Sequence, residues 1–218
     1  MAKKQVSPKT QAKKVLALLN SRYKQPKTHL IAKNAWELLV ATILAAQCTD
    51  ARVNTITPTL FKLWPGPKEL ASASQENIEK VIHSVGFYHN KAKNLLATAK
   101  KLRDEFSCEI PKTIEELTSL PGVARKTANV VLFGAFGINA GLAVDTHVKR
   151  ISYRLGLTKN TDPVYIEKDL MNIFPQEEWG NINHRMVWFG RDVCMAKKPE
   201  CTNCEFSEIC PKLEPPKR

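Results

Sequence analysis

Residues 120–131 read LPGVARKTANVV, a Pro-Gly turn that leads directly into an apolar helix. The start of a helix leaves several backbone N–H groups without an intrahelical acceptor, and together with the helix dipole these groups attract anions such as phosphate. Lys126 lies in the first turn of this helix. A lysine in a helix is most often simply solvated, but at this position it is also a candidate nucleophile beside a bound phosphate.

Helical patterns continue along the rest of the chain, and no stretch shows the alternation of apolar and polar residues that is typical of a strand. Capping residues such as Asn34 and Thr113 precede several of the apolar runs. About ten helices joined by short loops therefore predict an all-α protein. The predicted helices cover residues 9–21, 34–46, 50–64, 74–86, 89–106, 113–120, 120–136, 145–155, a stretch from 163, and 182–193.

The formal net charge of +12 is concentrated at the N-terminus of the 218-residue chain. Residues 1–27 hold eight lysines and arginines and no acidic residue. Such an arm predicts nonspecific attraction to nucleic acid, with a solvated basic tail as the alternative. No run of apolar residues is long enough to span a membrane, and the N-terminus lacks the apolar core of a signal peptide, so we expect an intracellular, cytoplasmic protein.

Four of the six cysteines lie close together near the C-terminus, with the spacing C-x6-C-x2-C-x5-C. Clustered thiolates are ligands for soft metal centres. The spacing alone leaves zinc and a [4Fe–4S] cluster equally open, and a group of cysteines without any metal is the third alternative. The loop also carries Lys197 and Lys198. The four cysteines are Cys194, Cys201, Cys204 and Cys210.

Two further polar residues stand at the edges of apolar helices. Asp145 follows an apolar pair at the predicted start of a helix, where a carboxylate is most commonly an N-cap. Gln47 interrupts an apolar helix, where an amide hydrogen-bonded near the helix end is the plain interpretation. Neither residue alone predicts a function.

Taken together, these segments resemble one known family. The run LPGVARKTANVV resembles the helix-hairpin-helix of the endonuclease III family of DNA glycosylases. The segments ILAAQCTD, VGFYHNKAKN and AVDTHVKR look like other marks of that family, and the cysteine loop is similar to its [4Fe–4S] motif. The resemblance covers residues 9–212. It departs at Ala124, which replaces a glycine and which we expect to be helical, and at Phe87, which replaces a leucine.

The resemblance implies two all-α lobes with the active site in the cleft between them. A six-helix lobe over residues 28–139 would contain the helix-hairpin-helix at about 113–136. Residues 1–27 and 140–218 would form a discontinuous lobe with the iron–sulfur loop 194–210. Lys126 and Asp145 would be the catalytic residues, and the four cysteines would hold a [4Fe–4S] cluster. The residues expected to contact DNA are Gln47, Phe87, Gly122, Ala124, Arg125, Lys197 and Lys198.

The function implied is base-excision DNA repair by a bifunctional DNA N-glycosylase. The enzyme would remove oxidised pyrimidines from duplex DNA and cleave the abasic site by β-elimination through a Schiff base on Lys126. Its partner would be double-stranded DNA with a damaged base or an abasic site, and we expect a monomer associated with the nucleoid of a prokaryote. The alternatives are a monofunctional mismatch or adenine glycosylase, whose family typically lacks a lysine at position 126, and a noncatalytic DNA-binding module with a structural zinc.

Overall fold

The computed structural model describes residues 7–214, and all regular secondary structure in that range is helical, which confirms the all-α prediction. Residues 1–6 of the basic arm lie outside the described residues. The helices are α1 (Pro8–Arg22), α2 (Ala35–Leu44), α3 (Asp50–Leu63), α4 (Pro67–Ala71), α5 (Gln75–Ile82), α6 (Tyr88–Glu105), α7 (Ile114–Thr118), α8 (Arg125–Phe136), α9 (Thr146–Arg154), α10 (Pro163–Ile173) and α11 (Trp179–Asp192), with a 3-10 turn at Gln176–Glu178.

Local capping explains most of the helix starts. The Oδ1 atom of Asn34 accepts a hydrogen bond from Glu37 N at 2.9 Å, and Thr113 caps α7 through Glu116 N at 3.2 Å. One helix was not predicted. Pro67 occupies the first position of the short α4, where its fixed φ and missing N–H suit a helix start, although the sequence pattern indicates only a break there.

The chain divides into two compact units, and the first is a continuous unit over Thr28–Ala140. In this continuous unit α2 contacts α3, α6 and α8, and eight of its ten residues are buried. An almost entirely apolar helix is stabilised only when neighbours surround it, so α2 forms the centre of this core. The unit has seven helical segments where the family resemblance predicts six, because the five-residue α4 adds one to the predicted set.

The second, discontinuous unit joins the two ends of the chain, with residues 7–27 and 141–214 described. The apolar face of α1 packs against α10 and α11, while Lys13 and Lys14 on its other face are exposed. The buried Gln11 side chain donates to Leu155 O at 3.2 Å and to Ile209 O at 2.7 Å. The basic segment 8–22 is therefore a structural helix with lysines on its outer face.

Within residues 7–214, none of the helices has the length and apolar character needed to traverse a lipid bilayer.

Candidate functional site

The turn between α7 and α8 requires glycine at position 122 for two reasons. Gly122 has φ +79°, a left-handed conformation that side chains disfavour. A Cβ atom there would also lie 2.9 Å from the side chain of Asn94. Helix α6 holds the same turn, since Thr98 Oγ1 donates to Pro121 O at 2.7 Å and Lys101 Nζ donates to Ser119 O at 3.2 Å. The turn is thus fixed by side chains of a neighbouring helix.

Ala124 is the N-cap of α8, with φ −84° and ψ 165°. The prediction that it is helical is wrong, because the helix begins one residue later and position 124 is extended. An extended backbone accepts any side chain, so alanine replaces the family's glycine without strain. Alanine also supplies no side-chain cap. The N–H groups at the start of α8 consequently face outward without a capping side chain, which is the arrangement that binds a phosphate oxygen.

Arg125 and Lys126 are the first two residues of α8, and both are exposed. They flank the uncapped N–H groups, and Gly122 precedes them on the exposed side of the turn. The structure therefore brings four of the predicted residues into one turn: Gly122, Ala124, Arg125 and Lys126. A phosphate bound at this turn would lie beside a primary amine.

Gln47 and Phe87 share an unusual backbone conformation. Their φ angles are 55° and 58°, both left-handed, and such a conformation costs a residue with a Cβ roughly 1–2 kcal/mol. Both side chains are exposed, Phe87 to 65%. The two segments are neighbours, because a Cβ on Gly86 would lie 3.9 Å from Gln47 O. Gln47 does not interrupt a helix as predicted: α2 ends at Leu44, and Gln47 lies in the turn that follows.

Asp145 caps α9 in the discontinuous unit. Its Oδ1 atom accepts hydrogen bonds from His147 N and Val148 N, both at 2.8 Å. These bonds occupy one carboxylate oxygen and leave Oδ2 outside the cap. Burial lowers the pKa of His147 and outweighs the opposing effect of the Asp145 charge. The neutral form of the imidazole is therefore favoured, so His147 does not neutralise the carboxylate.

The four clustered cysteines line a single cavity of about 50 Å³, together with Phe189 and Phe206. Burial raises the pKa of Cys204 and of Cys210, and the other three cysteines add to the effect on Cys210. These thiols therefore ionise readily only around a cationic centre. In the described part of the chain, however, no three His, Cys, Asp or Glu side chains converge closely enough to hold one metal ion. The cavity exceeds the roughly 10–15 Å³ that one water-sized sphere needs, so it has room for more than a single small atom.

Two arginines of α9 support the cysteine loop. Arg154 is buried and donates to Met195 O at 2.8 Å, to Ala196 O at 3.2 Å and to Cys194 Sγ at 3.5 Å. Arg150 donates to Cys194 O at 3.0 Å. The loop is thereby tied to the helix that Asp145 caps. Lys197 and Lys198 are exposed on the same loop.

Comparison with known proteins agrees with this geometry. Residues 40–176 match the profile of the HhH-GPD superfamily base excision DNA repair proteins. Endonuclease III of Synechocystis sp. is 50% identical over 214 residues, which is 98% of both chains. The chain belongs to the endonuclease III family. The resemblance that the sequence motifs indicate is thus confirmed.

Solved structures of the endonuclease III family have the same fold. A non-covalent endonuclease III–DNA complex matches with a TM-score of 0.90 at 40% identity, covering 95% of this chain and 97% of the other. A trapped endonuclease III–DNA covalent intermediate matches with the same TM-score, identity and coverage. A thermostable thymine-DNA glycosylase, 20% identical over 94% of this chain and 95% of the other, has a TM-score of 0.81 and shares the fold.

Sequence reasoning missed several residues that shape this endonuclease III family site. Arg150 and Arg154 are spaced i, i+4 on the helix after Asp145, but they precede Cys194 by 44 and 40 residues, so the sequence carries no signal that links them to the cysteine loop. Lys91, which is 6% exposed, lies four residues before Leu95 on the apolar stripe of α6, and that register was an available signal.

Proposed function

We propose that this chain is a bifunctional DNA N-glycosylase and abasic-site lyase that removes oxidised pyrimidines from duplex DNA in base excision repair. The observation that carries the proposal is Lys126, an exposed primary amine in the first turn of an uncapped helix start. A covalent protein–DNA intermediate, of the kind trapped for a relative 40% identical, requires such a nucleophile. This enzyme acts on DNA in the nucleoid of a bacterial cell.

The amine of Lys126, in its unprotonated form, attacks C1′ of the damaged nucleotide. A new C–N bond forms while the glycosidic bond breaks, and the base leaves with the bonding electrons and takes up a proton. Opening of the sugar ring then gives a Schiff base between C1′ and Nζ. Loss of a proton from C2′ expels the 3′ phosphate, which cleaves the strand. The N–H groups at the start of α8 hold a backbone phosphate throughout.

Asp145 supplies the carboxylate of the reaction. A nearby negative charge favours the ammonium form of a lysine, so lowering the pKa of a nucleophile is the wrong task for this residue. Accepting a proton from the attacking amine, or stabilising the positive charge that develops on the sugar, suits a carboxylate. Since the cap of α9 uses Oδ1, the remaining Oδ2 is the oxygen assigned to this task.

The damaged nucleotide has to leave the base stack before C1′ becomes accessible, at a cost of a few kcal/mol. Gln47 and Phe87 offset this cost by filling the gap in the duplex. Both are exposed, lie on neighbouring segments and have a strained left-handed backbone. Strain of this kind persists where the surrounding structure enforces it and is concentrated at functional segments. An aromatic ring and an amide suit a gap that has stacked faces and hydrogen-bonding edges.

Cys194, Cys201, Cys204 and Cys210 would hold a [4Fe–4S] cluster, since their common cavity has room for more than a single small atom. The cluster would cross-link the loop and would take no part in the reaction itself. The exposed Lys197 and Lys198 would then form a fixed pair of cations for backbone phosphates. This assignment separates DNA docking, on the cysteine loop, from the chemistry at Lys126.

The purified protein is expected to be brown, with the broad visible absorption of iron–sulfur charge transfer and with about four iron atoms per chain. Iron analysis and visible spectroscopy measure both quantities. A colourless protein that contains one zinc per chain would overturn the cluster assignment and favour the module with structural zinc.

Borohydride is expected to trap a covalent complex between the wild-type protein and a duplex that contains an oxidised pyrimidine, because it reduces the Schiff base to a stable amine. Gel electrophoresis of the trapped product tests this outcome, with an undamaged duplex as the control. Base release without trapping would instead indicate a monofunctional glycosylase, and binding without base release would indicate a noncatalytic module.

A further inference from the structure

Lys91 is a buried lysine in the first turn of α6, outside the residues assigned so far. Its side chain is 6% exposed, which is rare for lysine. The Nζ atom donates to Leu44 O at 2.9 Å and to Ala46 O at 2.7 Å. Burial lowers the pKa of Lys91, so these two carbonyl oxygens compensate for lost hydration. A role as a solvated surface charge therefore does not account for the lysine at this position.

The bonds of Lys91 join the two exposed segments that contain Gln47 and Phe87. Leu44 is the last residue of α2, where a cation is favourable because the carbonyl groups at a helix end lack partners. Ala46 immediately precedes Gln47. At the other end, Lys91 N donates to Phe87 O at 3.1 Å. The side chain of Lys91 thus contacts the chain directly before Gln47, and its backbone N–H makes the regular helical bond to Phe87, the N-cap of α6.

The same stripe of α6 continues to the phosphate-binding turn. Asn94, Thr98 and Lys101 follow Lys91 at spacings of three and four residues, which places all four on one helix face. Asn94 packs against Gly122, while Thr98 and Lys101 donate to the carbonyl groups of the turn. A single rigid helix therefore sets the distance between the Gln47 segment and the start of α8.

We propose that Lys91 is a positioning residue whose ammonium group holds the Gln47 turn beside Phe87, in the arrangement in which both side chains enter the duplex. The inference rests on the proposed function, because it assigns Lys91 an effect only through those two side chains. Without its ammonium group, two carbonyl oxygens lose their donor and the strained turn at Gln47 relaxes. The gap left by the flipped nucleotide is then filled less often, and base excision slows.

The test compares Lys91→Met with Lys100→Met, the same change at an exposed position on the same helix. Single-turnover base excision is measured for full-length protein carrying its native cysteine loop. We expect Lys91→Met to lower the rate about tenfold and Lys100→Met to leave it unchanged within about twofold. If the wild type is active and the two variants excise the base at equal rates, the inference about Lys91 is wrong while the proposed function stands. If the wild type itself is inactive, the proposed function is wrong.

A double-mutant cycle distinguishes positioning from a general loss of stability. If Lys91 acts through Gln47, we expect the double variant Gln47→Ala/Lys91→Met to excise the base at the rate of the slower single variant, within about twofold. Losses that multiply would overturn the proposal. Should Lys91→Met fail to fold, Lys91→Gln takes its place, because its side-chain amide keeps an N–H donor group. Backbone hydrogen exchange of that variant is then measured. Faster exchange over residues 45–49 with unchanged exchange in α8 supports the proposal, and unchanged exchange at 45–49 contradicts it.

Discussion

Replacing Lys126 by glutamine is expected to abolish borohydride trapping and to lower strand cleavage by on the order of 10³-fold, because the amide cannot form a Schiff base. The side chain is exposed at the start of α8, so the change in the free energy of unfolding is expected to stay within about 0.5 kcal/mol. Single-turnover cleavage of a duplex with an abasic site, followed on a denaturing gel, measures the effect.

Arg125→Gln is the matched control, since it removes one positive charge from the same turn of α8. This variant is expected to bind DNA more weakly and to lose about one unit of salt slope, yet to be trapped at saturating protein concentration. If Lys126→Gln were trapped as efficiently as the wild type, another amine would be the nucleophile and the mechanism would be wrong.

Asp145→Asn is expected to lower the rate of base excision by about 100-fold while leaving the thermal stability almost unchanged. Asparagine is as good an N-cap as aspartate, so the bonds to His147 N and Val148 N persist and only the charge is lost. The substitution therefore separates the carboxylate's chemistry from its structural task. Single-turnover excision and thermal denaturation measure the two effects.

Asp162→Asn provides the control for this change. Asp162 caps α10 through Val164 N at 2.8 Å, so the same substitution there tests the loss of charge at an N-cap elsewhere in the same unit. We expect it to leave excision unchanged. Asp145→Ala should lose the cap as well, at a further cost of about 1 kcal/mol in stability. If Asp145→Asn kept full activity, the only role left for Asp145 would be to cap α9.

The features that sequence predicts well here are those decided within a few residues. Asn34 and Thr113 mark helix starts because a capping side chain bonds to an N–H three residues on. The Pro-Gly turn before α8 likewise follows from its own residues, and Gly122 does adopt the left-handed conformation. The all-α class then follows from the number of such local signals and from the apolar periodicity.

The features that sequence could not predict depend on distant partners. Lys91 bonds to Leu44 O across 47 residues, so its position on the helix does not reveal which groups its ammonium contacts. The left-handed turn at Gln47 has no local signal, since glutamine has no preference for that conformation, and its neighbour Ala46 is bonded by the distant Lys91. Ala124 also differs from expectation, because it is extended and α8 begins only at Arg125. Helix ends are generally the least determined part of a local pattern.

The hydrogen bonds of Gln11 have a consequence for the order in which parts of the chain fold during synthesis. Its side chain needs Leu155 O and Ile209 O, which leave the ribosome long after α1 itself. Residues 28–140, in contrast, are contiguous, and all partners of that core emerge together. Domains generally fold as units during synthesis, from the N-terminus onward. Helix α1 is thus translated before residues 28–140 but acquires its partners only after them, once the chain has been made as far as Ile209.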